Sequence, residues 1–208
     1  MAFFYQGDKP CYFIHVPRTG GRYVSSLFEN TDGVECHHHQ IGVEQLNNVD
    51  ITHLSWPDFE QINSSIKESP HITVVRNPYD KIFSSIQNMY RVHGVDYDSL
   101  LKDEFECYKL LFEEIISRSK HNNWFLPQYK FMSPKTHVWK YESGFGEDFR
   151  TWVQEKTGIE LTALEVDYEK LSCEGEDEGE PLVLSDESRK NIENFYHKDY
   201  ETFDYRRQ

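Results

Sequence analysis

The chain has 208 residues, enough for one domain around a single core. Hydrophobic residues make up 38% and charged residues 28%, the balance of an ordinary globular protein, and aromatics reach 15%, which favours a core rich in Phe and Tyr. A formal net charge of −14 argues against a nucleic-acid partner, which calls for a basic surface, and against a long anionic polymer unless a local basic groove overrides the field.

The opening stretch, MAFFYQGDKP, lacks a basic segment followed by an apolar one, and no apolar run approaches membrane-spanning length, so no membrane partner is expected. Cys11, Cys36, Cys107 and Cys173 show no CxxC spacing. A chain of this length does not need disulfide staples, so free thiols in a reducing, cytoplasmic setting are expected.

Cys11 to Val16 reads as a buried strand and Tyr23 to Phe28 as a helix. Between them runs Pro17-Arg18-Thr19-Gly20-Gly21-Arg22. A strand that passes through a tight turn into a helix makes an anion cradle of backbone N–H groups. Gly20 and Gly21 let the backbone approach an anion with no Cβ in the way. Arg18 supplies charge, and the Thr19 hydroxyl a further donor. The pattern GxxxxGK[ST] is absent, which counts against an ATP or GTP kinase. The loop is short and suits one anionic group. Taken alone, such turns are as often structural as ligand-binding.

Val34 to His37 and Ile51 to Leu54 are weaker strand candidates. The run Cys36-His37-His38-His39 invites a zinc reading. Neighbouring strand residues point to opposite faces, so contiguous ligands cannot all reach one ion, and no second cluster follows. No metal is expected.

His71 to Arg76 is a strong strand. Asn77 reads as the N-cap of a helix from Pro78 to Tyr90, with Ile82, Phe83, Ile86, Met89 and Tyr90 on one face. Arg76 then sits at the carboxyl end of a central strand, where α/β folds bind ligands. Ser84 lies two turns into the helix, off the apolar face. The pair can hold one phosphate, although by itself it reads more simply as a surface Arg and a neutral Ser.

Tyr97 to Ser119 is a long amphipathic stretch, Thr136 to Tyr141 a strand, and Gly144 to Lys156 a helix that Gly158 stops. Ser172 to Pro181 is acidic and Gly-rich, with no apolar period, and reads as a loop. Ser185 caps a last helix to Tyr196. Strands alternating with helices predict one α/β domain over residues 1–208. The expected architecture is a three-layer P-loop-type fold, with a mostly parallel central sheet flanked by helices. Cys11–Val16 and His71–Arg76 should be interior neighbours, bringing Arg18 and Arg76 to one cleft.

Pro17-Arg18-Thr19-Gly20-Gly21-Arg22-Tyr23-Val24 resembles the PKTGGTSL motif of the sulfotransferases that use 3′-phosphoadenosine 5′-phosphosulfate (PAPS). Val74 to Ser84 resembles their VxRNPxDRxxS motif, with the same Arg-to-Ser spacing. His53-Leu54-Ser55-Trp56-Pro57-Asp58-Phe59 resembles an HVSFLDF-like segment of the heparan sulfate 2-O-sulfotransferase branch. Pro127-Gln128, Tyr141-Glu142 with Asp148-Phe149, and the run from Tyr196 to Tyr205 resemble later segments of that branch. The likeness covers nearly the whole chain and is specific at the two cofactor motifs and the His53 segment. Arg18 stands where the family usually has Lys, a planar fork in place of a point charge. Arg22 and Tyr23 replace smaller, polar residues.

The resemblance implies sulfuryl transfer from PAPS to a hydroxyl acceptor, leaving 3′,5′-adenosine bisphosphate (PAP), with no metal. It implies that Arg18 stabilises charge on the transferring group. The backbone of Thr19, Gly20, Gly21 and Arg22, with Tyr23, would hold the 5′-phosphosulfate, and Arg76 and Ser84 the 3′-phosphate. His53 is the implied general base, since imidazole titrates near working pH. Trp56, His121, Trp124 and Gln128 are acceptor-side candidates, and a carbohydrate or small-molecule hydroxyl is the expected acceptor. The alternative, motivated by Arg18 and the Arg22-Tyr23 pair, is a non-catalytic module of the same fold that binds PAP or another anion.

Overall fold

The chain enters its sheet as a hairpin. In the computed structural model, which describes residues 2–38, 42–43, 49–50, 53–62, 69–93, 97–116, 123–164 and 183–207, β1 (Ala2–Gln6) turns at Gly7 and Asp8 into β2 (Lys9–Ile14). Ala2 pairs with Phe13 and Gln6 with Lys9. Gly7 has φ 64°, the left-handed conformation that two-residue hairpin turns demand. β3 (Val34–His38) adds antiparallel to the outer side of β1. A short pair, β4 (Gly42–Val43) with β5 (Val49–Asp50), stands apart. β6 (His71–Val75) lies parallel to β2, and β7 (Thr136–Lys140) parallel to β6. The order is β3-β1-β2-β6-β7.

The fold is therefore α/β, but its five-stranded sheet is mixed rather than mostly parallel, with two parallel and two antiparallel pairings among the described residues. The hairpin is the reason, because a two-residue turn can join only antiparallel strands. The two strands expected as neighbours, β2 and β6, are paired in the interior. β1 itself escapes a reading by alternation, since AFFY is continuously apolar and buried on both faces.

The helices are α1 (Gly21–Glu29), α2 (Trp56–Ile62), α3 (Pro78–His93), α4 (Tyr97–Lys102), α5 (Glu104–Ile116), α6 (Glu147–Thr157), α7 (Asp186–Phe195) and α8 (His197–Phe203). 3₁₀ turns lie at Gln128–Phe131 and Tyr141–Ser143. Strand alternation sorts the core into layers. Phe4, Cys11, Phe13, Ile72 and Val74 pack with Val24, Leu27 and Phe28 of α1 and Phe149 and Val153 of α6. Phe3, Tyr12 and Ile14 face the other way, onto Leu54, Phe59, Leu126 and Phe131. A third cluster joins α3, α4, α5, α7 and α8 through Ile82, Leu101, Leu111, Ile192 and Tyr200.

Local signals account for most helix ends. The Asn77 carboxamide accepts from the N–H groups of Tyr79 and Asp80, and Ser185 Oγ from that of Ser188. Gly158 stops α6 at φ 75°. The single helix expected from Tyr97 to Ser119 is instead two. Asp103 breaks it, because its carboxylate accepts the Glu106 N–H and caps α5. The stretch Ile51–Leu54, expected as a strand, leaves His53 and Leu54 outside any strand. The segment Ser172–Pro181, with Cys173, and also His39 and His121, lie outside the described residues. Among the described residues no helix is long and apolar enough to cross a membrane.

Phe4 is fully buried and stacks on Phe28 with ring centroids 4.1 Å apart. Phe4→Ala should lower the unfolding free energy by about 3–5 kcal/mol in urea titrations, as for other large aromatic truncations. A loss under 1 kcal/mol (about a fifth of the upper value) would show that the hairpin is not part of the cooperative core.

Candidate functional site

Because β2 and β6 are adjacent and parallel, the loops that follow them leave the same edge of the sheet. Arg18 takes φ 64° and Gly20 φ 82° in the first loop. A left-handed arginine costs on the order of 1 kcal/mol, so surrounding contacts must hold it. The buried Thr19 is one, with Oγ1–H donating to the Val16 carbonyl at 2.8 Å. Across the gap, Arg18 Nε–H donates to Ser84 Oγ at 3.0 Å, and Arg76 Nη1–H donates to the Arg18 carbonyl at 3.5 Å. Three residues from two distant segments thus meet at one point.

α1 begins here. Its N-cap, Gly20, offers no side chain to the orphan N–H groups, and its first turn holds no acidic residue. Exposed Arg22 adds a cation where the helix dipole is already positive. An anion is the natural complement of such an end.

The remaining loop residues turn inward. A Cβ on Gly21 would come within 2.0 Å of two His15 ring atoms, so this glycine makes room for that histidine. The single hydroxyl proton of Thr19 is engaged by Val16, which corrects the expectation of a side-chain donor at that position. The Tyr23 side chain is buried, with its ring 5.5 Å from that of Phe145. Thr19, Gly21 and Tyr23 can therefore meet a ligand through backbone alone.

His53 lies beside this loop. Its Nδ1–H donates to the His15 carbonyl at 3.1 Å, which places the lone pair of the neutral ring on Nε2. The ring meets His15 edge-on at 4.6 Å, and Asn123 Nδ2–H holds the His53 carbonyl at 2.8 Å. Burial, with the neighbouring His53 and Arg22, drives the His15 imidazole well below its usual range, so His15 stays neutral.

Around Arg76 the contacts are dense. Its guanidinium lies 4.6 Å above the Tyr141 ring. Glu142 Oε1 accepts the Asn77 N–H at 2.6 Å, and Tyr205 O–H donates to Glu142 Oε2 at 2.7 Å. Gln128 is fully buried and bonds both backbone groups of Arg76, so it belongs to the mount of Arg76 and not to an acceptor cleft. Trp56 lies toward the opposite end of β6 from Arg76. It packs on His71 at 5.0 Å, at the amino end of β6, roughly 16 Å along the strand from Arg76. Trp124 is half-buried against the helical cluster, where its carbonyl accepts from Lys81. His37 meets Tyr5 edge-on at 5.6 Å while Cys36 packs toward the α1 side, the alternation expected of a strand.

No protein-family model matches the chain, and no curated protein or solved structure is significantly similar to it.

Two outcomes follow from His15. Gly21→Ala should cost about 1–3 kcal/mol of unfolding free energy, and almost nothing in a His15→Ala background. Additive effects would place the clash elsewhere. An imidazole held low in the folded state means that the unfolded chain binds more protons. Stability should therefore rise with pH up to the unfolded value of 6.5 and be lost as pH falls below it. His15→Gln should flatten that rise in denaturant titrations run between acid and neutral pH.

Proposed function

We propose that this protein is a sulfotransferase that moves a sulfuryl group from PAPS to a hydroxyl on a carbohydrate or small molecule, with His53 as general base. The meeting of Arg18, Arg76 and Ser84 at the carboxyl ends of β2 and β6 carries the reading. Arg76 and Ser84 match the second cofactor motif of that family, and Arg18 stands at the position of the first motif where the family usually has Lys. The donor set fits the group: two guanidinium groups, a hydroxyl and an uncapped helix N-terminus free of acidic side chains suit two separate anions. Such a gathering of cations on a chain of net charge −14 calls for an anionic ligand.

Bound PAPS supplies an activated sulfuryl group, whose S–O bond to the 5′-phosphate breaks as the acceptor oxygen bonds to sulfur. Arg18 and the first-turn N–H groups of α1 bind the 5′ end and hold the charge that develops there. Arg76 and Ser84 bind the 3′-phosphate and so separate PAPS from ATP. His53 Nε2 takes the acceptor proton, and the Nδ1–H bond to His15 fixes the ring and supports the imidazolium that results. Catalysis of this kind is positioning plus charge stabilisation.

Arg76→Ala and Ser84→Ala should each weaken PAP binding in calorimetry, by about 1.5–3 kcal/mol where the lost contact is charge-assisted. Unchanged affinity in Arg76→Ala would remove that residue from the site.

His53→Ala should bind PAP as wild type does, while turnover falls roughly 10²–10⁴-fold. Near-normal turnover would move the base elsewhere, with His15 the nearest candidate. Tight PAP binding without transfer to any acceptor would favour the non-catalytic module of the same fold.

A further inference from the structure

We propose that Gln128 is a positioning residue that sets the backbone of Arg76, in a turn that Asp199 anchors and whose approach Lys81 holds. The functional half of this inference rests on the reading that Arg76 grips the 3′-phosphate.

Arg76 is the first residue beyond β6. Gln128 Oε1 accepts its N–H at 2.9 Å, and Gln128 Nε2–H donates to its carbonyl at 2.8 Å. One planar carboxamide thereby grips a residue on both sides of its Cα, much as a neighbouring strand would. A single bond would leave one of the two peptide planes free to turn, whereas the pair constrains both. The guanidinium that reaches the Arg18 carbonyl and covers Tyr141 starts from this fixed Cα.

The clamp is itself clamped. Asp199 of α8 accepts the Gln128 N–H on Oδ2 at 2.8 Å and the Tyr129 N–H on Oδ1 at 3.0 Å, which anchors the 3₁₀ turn. Lys81 Nζ, five residues beyond Arg76 in the same motif, donates to the carbonyls of Trp124 and Leu126 just ahead of that turn. Lys81, Gln128 and Asp199 are all buried, at 1%, 0% and 1% exposure. The cation of Lys81 is therefore directed at the loop that carries Gln128. A plain core glutamine would satisfy its amide on whatever lay near. This one bonds the N–H and the C=O of one and the same residue, Arg76, which with Ser84 is assigned to the 3′-phosphate.

The test is calorimetry with PAP and with adenosine 5′-monophosphate (AMP), which lacks the 3′-phosphate. Gln128→Met, close in shape but without hydrogen-bonding groups, should lower PAP affinity about tenfold and leave AMP affinity unchanged. In an Arg76→Ala background the same change should have no further effect on PAP. Equal losses for PAP and AMP, or additive effects with Arg76→Ala, would mean a merely structural role and overturn the inference. Should Gln128→Met fail to fold, Gln128→Glu keeps the volume and one acceptor but loses the donor, and carries the same expectations. Amide hydrogen exchange supplies a readout that needs no nucleotide. The Arg76 N–H should lose protection in Gln128→Met, and retained protection would overturn the clamp whatever the protein binds. Wild type that binds no PAP would instead sink the sulfotransferase reading, leaving the clamp to be judged by exchange.

Discussion

The parallel pairing of β2 with β6 is the constraint on which the rest depends. It aligns Tyr12 with His71, Phe13 with Ile72 and Ile14 with Thr73. Thr73 Oγ1–H reinforces the seam by donating to the Ile14 carbonyl at 2.7 Å. Parallel strands cannot be joined by a tight turn, so each is followed by its own loop and helix. Both loops emerge at the same edge. Arg18 and Arg76, 58 positions apart, are neighbours for that reason alone. Slipping the register by one residue would turn Phe13 and Ile14 to the wrong layers and carry Arg18 away from Ser84.

The same edge shows how a binding loop divides its side chains. Thr19 and Tyr23 are committed to the interior, as is the space beside Gly21, which the His15 ring fills. Only Arg18 and Arg22 direct polar side chains outward or across the gap. Inward commitments give the loop its shape, including the left-handed Arg18, and a shaped loop presents its N–H groups together. Strain at Arg18 is thus compensated by its neighbours rather than by regular secondary structure.

Much of this was legible in the residue pattern. Strand, short glycine loop and helix could be read from local signals, as could Asn77 and Ser185 as caps and Gly158 as a stop, because each acts within a few residues of itself. Arg76 and Ser84 taken alone read as a surface Arg and a neutral Ser, and only the resemblance of the second motif joined them. What escaped is non-local. Ala2–Gln6 shows no alternation because both its faces are covered, by α1 on one side and Phe59 on the other. Gln128 carries no local mark of a bond to Arg76, 52 positions earlier, and Asp199 none of a bond to Gln128, 71 positions earlier. Lys81 left the one usable hint, a cation next to the apolar face of α3, where a buried lysine needs acceptors.

Burying Lys81 and Asp199 has a consequence for why such a network persists. Burial pushes the Lys81 ammonium down, against the pull of Asp199, and pushes the Asp199 carboxyl up, against its two backbone N–H donors and Lys81. Apolar residues of similar volume would avoid both penalties and often stabilise a core. They could not, however, accept two N–H groups at the head of a 3₁₀ turn or bind two carbonyls ahead of it. Left unpaired, those four backbone groups would cost about 1–3 kcal/mol each. The turn that carries Gln128 is irregular backbone brought into the core, and only polar side chains can satisfy it there.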